Sequence, residues 1–191
     1  MGTHDHSVQF AGGTLGRRRH ICAFFNSVDE EHRVLRSFIT EGLDRGEKAF
    51  HIVDPELREA HLKRLDLRGG TRAAMLTLIE EVLQSGAAAG YPLTRLLAHM
   101  EWACDDKPGV GDLVEYETRL NYVLPKYDDP VICTYDLSKF GSSVAMDIMR
   151  THPVVIIGGT LQENPFFVPP DEFLLEIRER RSFRNSARVA N

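Results

Sequence analysis

An alternation restricts the fold more than any other feature of this chain. Five short apolar runs, His20–Phe25, Ala49–Val53, Leu96–Met100, Val131–Tyr135 and Val154–Ile157, are separated by longer segments whose apolar residues recur at helical spacing. The runs are aliphatic and β-branched with little polar alternation, as strands covered on both faces are. Parallel neighbours need a crossover, and a helix between successive runs supplies one. The pattern predicts an α/β, three-layer fold, a mostly parallel sheet with helices on both faces.

Punctuation between the runs supports this. Ser27 and Glu30 have capping-box spacing, and Asp29, Glu30 and Glu31 load the first turn of a helix carrying Val34, Leu35, Phe38, Ile39 and Leu43, stopped near Gly46. Asp54-Pro55 opens a short helix to about Leu65, and Gly69-Gly70 breaks the chain. Thr71 caps a helix bearing Met75, Leu76, Leu78, Ile79, Val82 and Leu83, and Lys107-Pro108-Gly109 is a loop. Leu113, Tyr116, Leu120 and Val123 mark a helix ended by Pro125, and Ala145, Ile148 and Met149 mark another. Gly158-Gly159 closes the last run, and Pro169-Pro170-Asp171 leads into a helix with Phe173, Leu174 and Ile177. Residues 1–18 are glycine-rich and read as a flexible arm, 19–181 as one domain, and 182–191 as a tail.

Several function classes are disfavoured. The net charge is -5, and Arg17-Arg18-Arg19 is too short for a nucleic-acid footprint. No apolar run reaches the roughly 18 residues of a membrane span. The N-terminus lacks a charged stretch followed by an apolar segment. Cys22, Cys104 and Cys133 are odd in number and widely spaced, which fits free thiols in a cytoplasmic protein.

The turn after the first run, Asn26–Glu31, has no glycine, no lysine and three carboxylates. A P-loop needs bare backbone amides and a lysine there. Like charges about 4 Å apart repel by roughly 4 kcal/mol at an effective dielectric near 20, so a triphosphate is repelled. Asp136 ends a run as a Walker-B aspartate does, but has no P-loop hydroxyl to share a magnesium ion. With no Gly-x-Ser-x-Gly either, the chain reads as a non-enzyme that needs no cofactor.

Ligand binding is the better-supported chemistry. Open parallel sheets bind ligands beyond the carboxyl ends of their strands. Phe25, His51, His99, Glu101, Trp102 and Tyr135 fall at or near those ends, and aromatic walls with a few polar groups suit a small, largely apolar molecule. The alternative role for such residues is packing of a covered sheet. His20 and Cys22 share one side of a strand, Cys133 and Tyr135 share one side of another, and His51, His99 and His152 add imidazoles. Without a C-x-x-C or H-E-x-x-H motif, His20, Cys22 and Cys133 are weak metal candidates, and packing is the simpler reading. Phe166–Pro170 is an apolar loop that reads as a lid, an interface or a cover for the sheet edge.

Several stretches together resemble one family: His20-Ile-Cys-Ala-Phe-Phe25, Glu41–Lys48, His51-Ile-Val-Asp54, His99-Met-Glu-Trp102, Tyr116–Leu120, Cys133-Thr-Tyr-Asp136, Arg150-Thr-His-Pro153 and Gly158–Pro170. Over about residues 15–181 the chain is similar to the methanogen/methylotroph sensory (MEDS) family. The resemblance implies a signalling module that recognises a small hydrocarbon derivative, alone or with a regulatory partner such as a kinase or anti-sigma-type regulator. It also implies a RecA/KaiC-like fold whose P-loop is lost. Family members usually carry an extra strand and loop where Leu65 here runs almost directly into Leu67–Gly70, so the sheet is expected to be one strand short and the chain a homo-oligomer. A ligand-free interaction scaffold and a metal- or haem-binding sensor are the alternative readings.

Overall fold

A computed structural model describes residues 7–52, 72–104 and 113–189, excluding the side chains of 72–74, 102, 104, 184, 185 and 187–189. The expected Asp54–Leu65 helix, the Thr71 cap, the Lys107–Gly109 loop and the shortened Leu65–Gly70 connection lie outside these residues. Strand β3 (His20–Phe25) runs into helix α1 (Val28–Asp44), which is followed by β4 (Lys48–Ile52). Helix α2 (Arg72–Ala88) precedes β5 (Thr94–His99), a 3-10 turn (Met100–Cys104) follows it, and α3 (Leu113–Val123) leads to β6 (Val131–Asp136). Helix α4 (Ser142–Thr151) leads to β7 (Val154–Ile157), β8 (Thr160–Glu163) and α5 (Pro170–Val189).

The sheet has six strands in the order β4-β5-β6-β3-β7-β8, all parallel except β8, which is antiparallel to β7. The fold is therefore α/β with a mostly parallel sheet flanked by helices. Alternate residues of each strand face opposite layers. Ile21, Ala23 and Phe25 pack with Leu35 and Phe38 of α1, while Cys22 and Phe24 pack with residues of α2, α3 and α4. Helix α5 adds Phe173, Leu174 and Ile177 outside α3, and Arg150 lies over the Phe173 ring at 4.4 Å while pairing with Glu176.

Two segments differ from their sequence-based expectation. Within the expected arm, Val8–Phe10 and Gly13–Leu15 form an antiparallel hairpin, β1 and β2, that buries Val8, Phe10 and Leu15 on the α1 layer. Val8-Gln9-Phe10 alternates inward and outward, and Ala11 and Gly12 both have positive φ, the requirement of a two-residue hairpin turn. The expected tail is the continuation of α5 to Val189. Gly158 and Gly159, expected to end a strand, form a second positive-φ turn that returns the chain as β8.

The α1 layer contains one costly group. Arg95 of β5 is fully buried, donates to Glu47 and to the Phe38 carbonyl oxygen, and lies 5.1 Å over the Phe38 ring. Gly42 makes room for it, because a Cβ there would sit 2.5 Å from Arg95 Cδ and Nε. In an open helix, Gly→Ala stabilises by about 1 kcal/mol. Here overpacking costs about 1–3 kcal/mol, and displacing Arg95 from Glu47 adds to that. Gly42→Ala is therefore expected to destabilise the chain by a few kcal/mol. Urea titration checks this, and a stabilised variant would contradict the packing.

Candidate functional site

The sheet separates two groups of functional side chains. The first lies on the α1 face, at the carboxyl ends of β4 and β5. His51 and His99 point to this face together with Leu97, and α1 supplies Glu31, Leu35 and Ile39. With His32, Arg36 and Thr40 they line an open cavity of about 480 Å³. His99 Nδ1 lies 3.3 Å from Glu31 Oε1. Burial raises the Glu31 carboxyl above its ordinary range, opposed by the nearby His99 and by a hydrogen bond from Thr134. Burial, and then the neighbouring His99, lower His51.

The N-terminus of α1 is occupied by its own sequence. Ser27 Oγ accepts the Glu30 amide at 3.2 Å, and Glu30 Oε2 accepts the Asn26 amide at 2.9 Å. A carboxylate thus sits where a nucleotide-binding loop would hold phosphate.

Other residues expected at the strand ends are placed elsewhere. Phe25 is buried in the α1 layer. Glu101 pairs with Lys139 at 2.8 Å on the surface. The Trp102 side chain lies outside the described residues. Tyr135 faces the opposite layer, fully buried, and its hydroxyl donates to Glu117 Oε1 at 2.7 Å.

Tyr135 leads to the second group, between the sheet and α3. His20 from β3, Glu117 from α3, Cys133 from β6 and His152 from the α4–β7 junction are all buried, with one ligand-type atom from each within 4.8 Å of the others. Glu117 Oε2 is 3.3 Å from His20 Nε2, 3.4 Å from His152 Nε2 and 3.7 Å from Cys133 Sγ. Cys22, paired with Cys133 in the strand register, is not part of the group; its thiol lies 3.8 Å from the Val154 carbonyl. These four donor types can hold a metal ion.

Sequence reasoning singled out His20 and Cys133 and counted His152 among the imidazoles, but passed over Glu117. Its position carried a signal. Glu117 is four residues from Leu113 and three from Leu120, so it lies on the apolar stripe of α3, and a carboxylate there must find buried partners.

Burial, then the nearby His152, lower His20 from 6.5 to about 4. Burial raises Glu117, but its close contacts with His152 and His20 outweigh that and bring the carboxyl to about 2. The unfolded chain takes up the His20 proton near 6.5 and the folded chain only near 4, so this contribution is complete above pH 6.5 and lost as pH falls toward 4. The neighbours of His20 are Glu117 and Asn121 of α3, Cys133 of β6 and His152. In chelator, stability is expected to fall by on the order of 3 kcal/mol across that window. Urea titration at several pH values checks this; an equal slope in His20→Gln would assign it to other groups.

Among the described residues, no helix is long and apolar enough to cross a membrane. No curated protein and no solved structure matches the chain significantly. The model of the methanogen/methylotroph, DcmR sensory domain matches residues 19–74 and 66–153, two segments that meet near the connection expected to be shortened. They run from β3 to the residue before β7, including all four residues of the buried group, and the chain belongs to this MEDS family of sensory domains.

Proposed function

We propose that the chain is a non-catalytic sensor that takes a small, largely apolar molecule into the cavity between α1 and the carboxyl ends of β4 and β5, and passes its ligand state to a regulatory protein. The cavity carries this reading. Its volume, about 480 Å³, lies within the usual range for ligand pockets, and Leu35, Ile39 and Leu97 give it apolar walls. The Glu31–His99 pair places an acceptor and an imidazole at the wall, which suits an uncharged hydrocarbon derivative with one hydrogen-bonding group such as an alcohol or aldehyde. Membership of a sensory family supports the role. The carboxylate-capped turn at Asn26–Glu31 disfavours a nucleotide.

Short-chain alcohols and aldehydes are expected to raise the melting temperature of the wild-type chain, because a ligand that binds only the folded state stabilises it. Ile39→Phe, which fills the cavity with a ring, should remove that rise while leaving the fold intact by circular dichroism. No rise with any of these compounds, or an equal rise in Ile39→Phe, would refute the assignment of the cavity.

A further inference from the structure

We propose that His20, Glu117, Cys133 and His152 form a closed binding site for one divalent transition-metal ion of the zinc class. The site goes beyond the ligand cavity, is on the other face of the sheet and does not depend on it.

Geometry supports the site first. In a tetrahedral zinc site with Zn–N and Zn–O of about 2.0–2.1 Å and Zn–S of about 2.3 Å, ligand atoms are about 3.3–3.6 Å apart. The separations here are 3.3 Å for His20 Nε2 to Glu117 Oε2, 3.4 Å for His152 Nε2 to Glu117 Oε2, 3.7 Å for Cys133 Sγ to Glu117 Oε2 and 3.9 Å for Cys133 Sγ to His20 Nε2. The other two pairs, His152 to His20 and His152 to Cys133, lie within 4.8 Å, so inward movement of the side chains completes a four-coordinate shell.

The proton positions supply an independent argument. Asn121 Nδ2 faces the carbonyl oxygens of Glu117, Thr118 and Thr151 at 3.2, 3.3 and 2.8 Å, so the amide oxygen is the atom turned to His20. His20 Nδ1, 3.1 Å from that oxygen, must carry its proton. His152 Nδ1 lies 2.9 Å from the Ile148 carbonyl oxygen and 2.8 Å from the Thr151 hydroxyl, which donates its own proton to that carbonyl at 2.7 Å; two acceptors thus face Nδ1, and it is protonated as well. In neutral rings both Nε2 atoms then present lone pairs to the Glu117 carboxylate. Fully buried His152 Nε2 makes no well-formed hydrogen bond, despite its 3.4 Å approach to Glu117. Two lone pairs and an anion face one point, and a cation there resolves the conflict. Nδ1 donation to a carbonyl or amide oxygen also fixes each ring as a metal-bound histidine requires.

Charge and ligand type narrow the ion. On binding, the metal displaces the Cys133 thiol proton to solvent, and the thiolate, the Glu117 carboxylate and a divalent ion sum to zero. Two imidazoles, a thiolate and one carboxylate oxygen suit zinc, cobalt or iron rather than magnesium or calcium. Four protein ligands leave no open position, so the ion holds β3, α3, β6 and the start of β7 together rather than acting on a substrate. The competing state is a single proton on His152 Nε2, which makes the group an imidazolium–carboxylate pair.

Cobalt separates the two. The full chain is unfolded in chelator, refolded with Co²⁺ and desalted. Bound metal is counted by mass spectrometry, and absorption spectra are taken. The site predicts retained cobalt, intense tetrahedral ligand-field bands, a near-ultraviolet thiolate-to-cobalt band and displacement by Zn²⁺. Cys133→Ser should lose the thiolate band and bind zinc at least about tenfold more weakly, whereas Cys22→Ser should keep both. X-ray absorption of the zinc-loaded wild type should show one sulfur and three nitrogen or oxygen neighbours, which decides the matter should Cys133→Ser fail to fold. His4 and His6 near the N-terminus also attract cobalt but supply no sulfur. Refolded wild type that retains no metal, a thiolate band that survives Cys133→Ser, or a zinc shell without sulfur overturns the proposal and leaves the protonated pair.

Discussion

A carboxylate removed from water must be answered by donors or cations, and Glu117 imposes that demand on the centre of this fold. Its answer comes from four side chains on three segments. Tyr135 of β6 donates a short hydrogen bond, Cys133 lies beside it, His20 approaches from the first residue of β3, and His152 from the entry to β7. None of these contacts is local in sequence. Together they fix how α3 sits on the sheet, because a helical rotation that removed Glu117 from the sheet would bury an unanswered charge elsewhere and leave two imidazoles facing each other. The supporting contacts point the same way. Asn121 ties His20 to the Thr151 carbonyl, and Asn164 Nδ2 holds the His152 carbonyl at 2.7 Å.

The sheet keeps this polar centre apart from the cavity on its other face, and strand periodicity does the sorting. On β3, His20, Cys22 and Phe24 turn to α3 and α4, while Ile21, Ala23 and Phe25 turn to α1. On β6, Cys133 and Tyr135 join the Glu117 group, and Thr134 between them hydrogen-bonds Glu31 at the cavity wall. One strand therefore carries two residues of the buried group and, between them, a residue that braces Glu31 on the other face.

The sheet's strands and the layers were legible because they rest on long-wavelength patterns. All five apolar runs are strands of one sheet, and the helices with repeated apolar spacing formed close to their caps. The pieces that escaped are short. Val8–Phe10, Gly13–Leu15 and Thr160–Glu163 are hairpin arms of three or four residues, too brief for periodicity to stand out, although Gly12, Gly158 and Gly159 were visible as residues able to take positive φ. The site was less legible for a different reason. Strand ends can be read from a sequence, but which face a strand-end aromatic turns to depends on register. Phe25 and Tyr135 occupy opposite layers, so they cannot line one pocket, whereas His51 and His99 can because β4 and β5 pair in register. Glu117 was hidden by habit of reading: a charge on a helix is assumed to be solvated unless its phase against Leu113 and Leu120 is worked out.

A parallel sheet leaves a crevice where helices leave adjacent strands on opposite faces, here beyond β3 and β6, since α1 and α4 cover different layers. In this chain the crevice is closed by its own atoms. The Leu137 amide donates to the Phe25 carbonyl at 2.9 Å across the two strand ends, Asp136 turns back onto Ser138, and Glu30 occupies the amide of Asn26. The amides of Asn26, Leu137 and Ser138 are thus already paired, and the cavity lies one strand pair away, against β4 and β5. Its walls combine Leu35, Ile39 and Leu97 with the polar side chains of Glu31, His32, Arg36, Thr40, His51 and His99, so its chemistry is set by side chains and not by bare backbone amides.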